Sequence, residues 1–206
     1  MKKVVFLFTA VCSVFSAFSQ TESTTNEKRL KYGFNLGGNY SNLIHRGTFP
    51  ENASLSNDIG GRIGVLADYR MSKGFSISPK AELSNNNSKV NFSHSDGSTT
   101  SYKIMPISLE FMAHFVFKKN YTKASPYVYF GPNVKIPLRK KTDDAFSYYT
   151  NTDFAIDFGI GVNKTFTYFN FSPEFRYSFG LLNVNQSPAI QSLYFHNFSL
   201  IFNFIG

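Results

Sequence analysis

The chain has 206 residues, a formal charge of +8, 17% aromatic residues and one cysteine, Cys12. Cys12 falls in the leading segment, so disulfides, thiolate catalysis and cysteine metal sites are excluded from everything after it. The basic excess is dispersed along the chain, unlike the clustered basic and aromatic surface of a nucleic-acid protein, and nucleic acid is excluded as a partner.

Lys2 and Lys3 precede an apolar run from Val4 to Phe18, followed by the small residue Ser19. This order predicts a secretory signal over 1–19, with Gln20 as the mature N-terminus. The run is about fifteen residues, shorter than the roughly 20 of a spanning helix. Thr9, Ala10 and Val11 lack the box that precedes a lipidated cysteine. Without Lys2 and Lys3 the charge of +8 falls to +6. Residues 20–31 are polar and predict a flexible lead, with one β domain over 32–206.

From there the signal is strict two-residue alternation, with no helical period. Eight runs carry it, by their apolar positions. Tyr32, Phe34, Leu36 and Tyr40 mark the first; Ile63, Val65, Ala67, Tyr69 and Met71 the second. Phe75, Ile77, Ala81 and Leu83 follow, then Ile107, Leu109, Phe111, Ala113, Phe115 and Phe117. The fifth has Val128, Phe130, Val134, Ile136 and Leu138; the sixth Phe154, Ile156, Phe158, Ile160 and Val162. Phe169, Phe171, Phe175, Tyr177 and Phe179 precede the last, Phe198, Leu200, Phe202 and Phe204. Runs of about ten residues match tilted strands that cross hydrocarbon. Long links (42–61, 85–101, 139–152, 181–192) alternate with short ones (72–74, 118–125, 163–167). The expectation is an all-β, eight-stranded, antiparallel up-and-down transmembrane barrel of the bacterial outer-membrane type, with long extracellular loops, short periplasmic turns and both termini periplasmic.

A soluble barrel also alternates, but its polar face meets water, which sets no size limit. Here the polar face holds Gly64, Ser76, Ser78, Gly131, Gly159, Gly161, Ser172 and Ser178, as a narrow eight-stranded interior requires. The same face carries Arg62, Arg70, Lys80, Lys135 and Arg176 against Asp68, Glu82, Glu110, Asp157 and Glu174. Buried charges persist only when paired, so this balanced set predicts an interior ion-pair network that fills the lumen. The rival is a polar path for small solutes. Lys118, Lys119 and Lys123 read as a solvated turn, and Arg139, Lys140 and Lys141 as the start of a loop.

Three runs repeat a motif: Ile77-Ser78-Pro79-Lys80, Phe130-Gly131-Pro132-Asn133 and Phe171-Ser172-Pro173-Glu174. Each proline lies on the lipid face and removes a ladder donor, predicting a bulge or bend. None of the histidines His45, His94, His114 and His196 has metal-ligand spacing, and His114 is assigned to the interior beside Glu110. His196 and Ser199 differ by an odd number of positions, so alternation puts them on opposite faces and argues against a nucleophile and base pair. Asp143 and Asp144 read as an acidic turn. Catalytic, cofactor and metal residues are therefore expected to be absent. Phe146, Tyr148 and Tyr149 in the third loop are candidate contact residues for an extracellular or envelope protein partner. The barrel itself needs only outer-membrane lipid, as a monomer.

The segments Tyr32-Gly33-Phe34-Asn35-Leu36-Gly37-Gly38-Asn39-Tyr40-Ser41-Asn42-Leu43, Tyr127-Val128-Tyr129-Phe130-Gly131-Pro132 and Phe175-Arg176-Tyr177-Ser178-Phe179-Gly180-Leu181-Leu182-Asn183-Val184 resemble strands one, five and seven of the PorT-family outer-membrane β-barrel proteins. The resemblance implies the barrel and its location, and supplies no catalytic residues. It leaves two readings of role: a non-enzymatic surface binding or envelope-structural barrel acting through its loops, and a small-solute channel or secretion-associated barrel. The ending Phe204-Ile205-Gly206 departs from a chain that stops on the aromatic residue.

Overall fold

The computed structural model describes residues 29–119, 124–138, 150–185 and 190–206. The signal segment 1–19 lies outside them. Among the described residues the strands are β1 (Leu30–Arg46), β2 (Ala53–Ser56), β3 (Asp58–Arg70), β4 (Phe75–Asn85), β5 (Lys89–Ser93), β6 (Thr99–Lys103), β7 (Ile107–Lys118), β8 (Ala124–Pro137), β9 (Asp153–Thr165), β10 (Asn170–Gly180) and β11 (Ser192–Ile205). Eight of them close as β1-β11-β10-β9-β8-β7-β4-β3, with β1 sealing against β3. Every pair is antiparallel, so the barrel is an up-and-down meander. Closure satisfies all the edges, which hydrocarbon demands because it offers no hydrogen bonds.

Alternation assigns the two faces. In β4, Ser76, Ser78, Lys80, Glu82 and Ser84 are buried inside while Phe75, Ile77, Pro79, Ala81 and Leu83 point out. Outward residues such as Val65 and Ile160 are 62% and 61% exposed, whereas Glu82, Glu110 and Asp157 are fully buried. An apolar band on the outside and charges on the inside invert the water-soluble arrangement and fit a lipid-facing wall. β1 begins at Leu30, earlier than the expected Tyr32.

The proline repeat behaves differently from the expected bulge. Between β3 and β4 pairing runs to Leu66↔Lys80 and resumes at Tyr69↔Ile77. Between β7 and β8 it lapses from Met112↔Asn133 to Phe115↔Phe130, and between β9 and β10 from Phe171↔Lys164 to Glu174↔Gly161. The register is unchanged across each lapse, so no residue is inserted. Each proline simply removes one donor from the ladder on one side. At Pro79 the loss is offset by Ser78 Oγ, which donates to the Ala67 carbonyl at 2.9 Å. At Pro132 the preceding residue must be glycine, because a Cβ on Gly131 would overlap the Ala113 carbonyl oxygen.

The long connections are not plain loops. β2, from the β1–β3 link, pairs with β5 and then β6, from the β4–β7 link, as a separate three-stranded sheet. Under it Leu43, Val90, Tyr102, Ile104, Met105, Val184, Ile190, Leu193 and Phe195 form a buried apolar cluster, with Phe49, Leu55 and Phe92 packed against it. The loop end of the barrel is therefore roofed by a folded layer.

Gly131→Ala is expected to lower stability by about 1–3 kcal/mol through overpacking. Ser78→Ala is expected to cost about 1–3 kcal/mol by stranding a carbonyl. Gly38→Ala, whose Cβ would meet nothing nearer than 3.7 Å, serves as a near-neutral control. Urea unfolding of the barrel in phospholipid vesicles reads all three; equal midpoints would refute the account of the lapses.

Candidate functional site

The lumen has three levels. At mid-height Glu82 of β4 is held by two guanidinium groups. Arg62 Nη1 lies 3.0 Å from its Oε2, and Arg176 Nη1 and Nη2 lie 3.0 Å from Oε2 and Oε1. Asn35 Nδ2 adds a fourth donor at 2.8 Å. Arg62 also reaches Glu110 at 3.4 Å, and Arg176 Nε lies 3.8 Å from Asp157. Asp157 accepts from Ser178 Oγ at 2.6 Å and contacts His114 Nε2 at 3.0 Å. Asn133 Nδ2 bridges Glu110 and Asp157 at 3.1 and 3.2 Å. These groups come from β1, β3, β4, β7, β8, β9 and β10, so the network ties together nearly the whole circumference.

Toward the short turns, Lys80 Nζ lies 2.8 Å from Glu174, whose other oxygen accepts from Tyr127 OH at 2.8 Å. Below them Lys118 pairs with Asp68 at 2.8 Å, the side chains 16% and 15% exposed. Arg70 ends β3 at this rim, half-buried. Toward the long loops, Lys135 Nζ is 3.7 Å from Asp153 and 5.3 Å from the Phe195 ring centroid. Above it lies the apolar cluster. Ion pairs from the turn-side rim to Lys135 and then an apolar roof thus succeed one another along the axis.

The structure brings Arg62, Lys80, Glu82, Glu110, Lys135, Asp157, Glu174 and Arg176 into the interior and leaves Asp68 and Arg70 at its turn-side rim. Asp68 has as its partner Lys118, which the sequence reading placed in a solvated turn; β7 continues through Lys118 and turns it inward. The pairing scheme of five cations with five carboxylates also changes. Among the described residues the buried set is Arg62, Lys80, Lys135 and Arg176 against Glu82, Glu110, Asp153, Asp157 and Glu174, with His114 beside Asp157.

Sequence reasoning missed Asp153, Tyr127, Tyr129, Asn35, Asn86 and Asn133. Tyr127 and Tyr129 were legible, because they alternate with Val128 and Phe130. Their rings occupy the space that side chains at Gly161 and Gly159 would fill. Asn86 lies beyond β4 and had no pattern to mark it. Its side chain donates to the Met105 carbonyl at 3.1 Å and accepts from Asn39 at 2.6 Å, joining roof to lumen.

Among the described residues His196 and Ser199 do not come together. Ser199 is inside and buried, while His196 is outside and contacts Tyr177 OH at 2.7 Å. His45 stacks on Phe49 at 4.5 Å, and His94 contacts Thr100 at 2.9 Å. Among the described residues no three His, Cys, Asp or Glu side chains are grouped to hold a metal. Ser98 donates to Asp96 at 2.6 Å in the β5–β6 turn and holds that carboxyl below the usual range. Phe146, Tyr148, Tyr149, Asp143, Asp144 and the 139–141 basic run lie outside the described residues.

Arg176→Met leaves the Glu82 and Asp157 carboxylates short of a buried cation and is expected to cost about 3–5 kcal/mol. Lys118→Met at the rim is expected to cost about 1 kcal/mol or less. The same vesicle unfolding assay separates them; similar losses would show that the mid-height network is not what holds the interior.

A model of the family described as outer membrane protein beta-barrel domain matches residues 18–186. The outer membrane protein OprG of Pseudomonas aeruginosa is similar over 86% of this chain and 91% of its own, at 12% identity and a TM-score of 0.50. Neisserial surface protein A covers 84% of this chain and 95% of its own at 12% identity and TM-score 0.47. For Ail, the attachment invasion locus protein of Yersinia pestis, the values are 87%, 100%, 13% and 0.46. At such identities the likeness is one of fold alone. The comparison with curated proteins gives no match.

Proposed function

The chain belongs to the outer membrane protein beta-barrel domain family, and from that premise we propose a non-enzymatic surface-binding barrel. Its partner would be an extracellular or envelope protein, met through the long connections. The orientation we propose puts the long connections outside and both termini in the periplasm, as in barrels with long loops and short turns. The opening strand, Tyr32 to Leu43, supports the finer kinship with the PorT type.

The observation that carries the reading is the roof. Two long connections donate strands to one sheet, and the β10–β11 link adds Val184 and Ile190 to the cluster beneath it. Ordering loops costs conformational entropy, here offset by burying a second apolar core. A rigid scaffold that displays ordered loops is the usual arrangement for recognition. The paired charges of the interior and the layer at the loop end support a filled lumen over a path for solutes.

Photo-cross-linkable residues at Ser54 in β2 and Thr99 in β6 are expected to give a discrete protein adduct on whole cells, absent from a probe at Lys73 in the β3–β4 turn. Identical adducts from both ends would refute a loop-borne role. In planar bilayers the purified barrel is expected to show no stepwise conductance; reproducible steps would replace the binding reading with the channel.

A further inference from the structure

The barrel wall carries a groove of about 630 Å³ on its outer face, within the roughly 300–1,000 Å³ range of small-molecule sites. Nine of its twelve lining residues fall into two rows, with Tyr127, Gly161 and Glu174 between the rows. One is Phe117, Val128, Ile160, Phe175 and Leu200, each in register with the next across β7, β8, β9, β10 and β11. The other is Lys119, Pro126, Val162 and Pro173, one step nearer the turns, with Pro126 opposite Val162. The groove therefore follows the hydrogen-bonding direction, and it lies over the place where β9–β10 pairing lapses at Pro173.

That direction sets its reach. Crossing five strands covers four spacings, or about 19 Å. Because strands tilt about 35–45° from the barrel axis, the path climbs by about 12 Å. One leaflet of hydrocarbon is about 15 Å deep. The groove thus runs from the turn-side rim, at Lys119 just past the end of β7, to near the middle of the membrane at Leu200, well inside β11.

We propose that this groove seats one acyl chain of a turn-side-leaflet phospholipid, with its phosphate held at the rim by Lys119 and Lys164. Chemistry and position select this occupant. At this depth the only surrounding material is acyl chain, which the apolar lining matches. Lys164 is the next outward-facing residue after Val162 on β9, exposed, with its Nζ 5.1 Å from the Phe166 ring centroid. Lys119 is exposed on the other side of β8, two strand spacings across and two residues along from Lys164, or about 12 Å away. Phe166, Phe169 and Tyr168, the last 91% exposed, mark the headgroup level beside them. Two lysines at that level attract an anionic headgroup. The seat needs only the barrel in a bilayer; the orientation proposed above decides that the leaflet is the periplasmic one.

The chain contains no tryptophan, so Phe117→Trp places a single indole at the groove and Phe34→Trp places one on the wall at β1. Both variants, checked for folding by gel mobility, are reconstituted in phosphatidylcholine vesicles with rising fractions of acyl-brominated phosphatidylglycerol. Quenching at Phe117→Trp is expected to half-saturate at a several-fold lower fraction than at Phe34→Trp. Adding Lys119→Glu and Lys164→Glu is expected to return it to the Phe34→Trp curve. Coincident curves for the two single probes would overturn the seat. A preference that survives both lysine reversals would overturn the phosphate contact at Lys119 and Lys164.

Discussion

Glu82 between Arg62 and Arg176 is the interaction on which the interior depends. A carboxylate and two guanidinium groups placed in a medium of low dielectric are each expensive, and their attraction repays that cost only when the geometry is good and the other lone pairs are filled. Glu82 meets both conditions, with bidentate contact from Arg176 and a further donor in Asn35. Arg176 then reaches Asp157, and Arg62 reaches Glu110, so each remaining charge is defined relative to the first. Strands β4 and β10 are not neighbours in the sheet. Their coupling across the lumen fixes the cross-section in a way the ladder alone does not.

Filling a narrow tube imposes its own economy of volume. Two tyrosines point inward from β8, and the strand beside them supplies glycine at the facing positions, Gly159 and Gly161. Large groups on one strand demand small ones on the next. A different closeness, that of the β7 backbone at Ala113, explains why the Pro132 lapse is preceded by Gly131, whereas the Pro79 and Pro173 lapses tolerate serine. In those two strands the hydroxyl is useful: Ser78 serves a carbonyl and Ser172 donates to Asn163 Oδ1 at 2.7 Å.

Much of this was legible because lipid on one side and a polar interior on the other force a strict two-residue period. Eight runs, their faces and the inward charges follow from that alone. Partners do not follow, since alternation reports which way a residue points and not its height or its place around the tube. Glu82 and Arg176 lie 94 positions apart and meet across the lumen. Lys118 and Asp153 were misjudged or missed because each sits at a strand end, where the period stops carrying information. The roof was illegible for a related reason: Leu43 comes from the end of β1, Val90 and Ile104 from the β4–β7 link and Ile190 from the β10–β11 link, so they share no period. The prolines announced a disturbance, but whether a residue is inserted depends on the partner strand, which the motif does not contain.

Besides its lumen, the barrel has two surfaces on which to act, the loop end and the wall. At the loop end the sequence spends apolar residues where water would favour polar ones, and the reason is internal: Val90 of β5 is fully buried together with Ile104 and Leu193. What that layer shows to the outside is mainly polar, with Ser54, Thr99 and Ser101 exposed on its strands. Such a surface favours hydrogen-bonded or charged contacts over the burial of a large apolar patch. The wall is the opposite case, apolar throughout its middle, and its groove departs from uniformity where two prolines and two lysines coincide at one rim. Proline placement shapes the wall as the ion pairs shape the lumen, and the two meet at β10, where Pro173 faces the lipid and Glu174, the next residue, receives Lys80 inside.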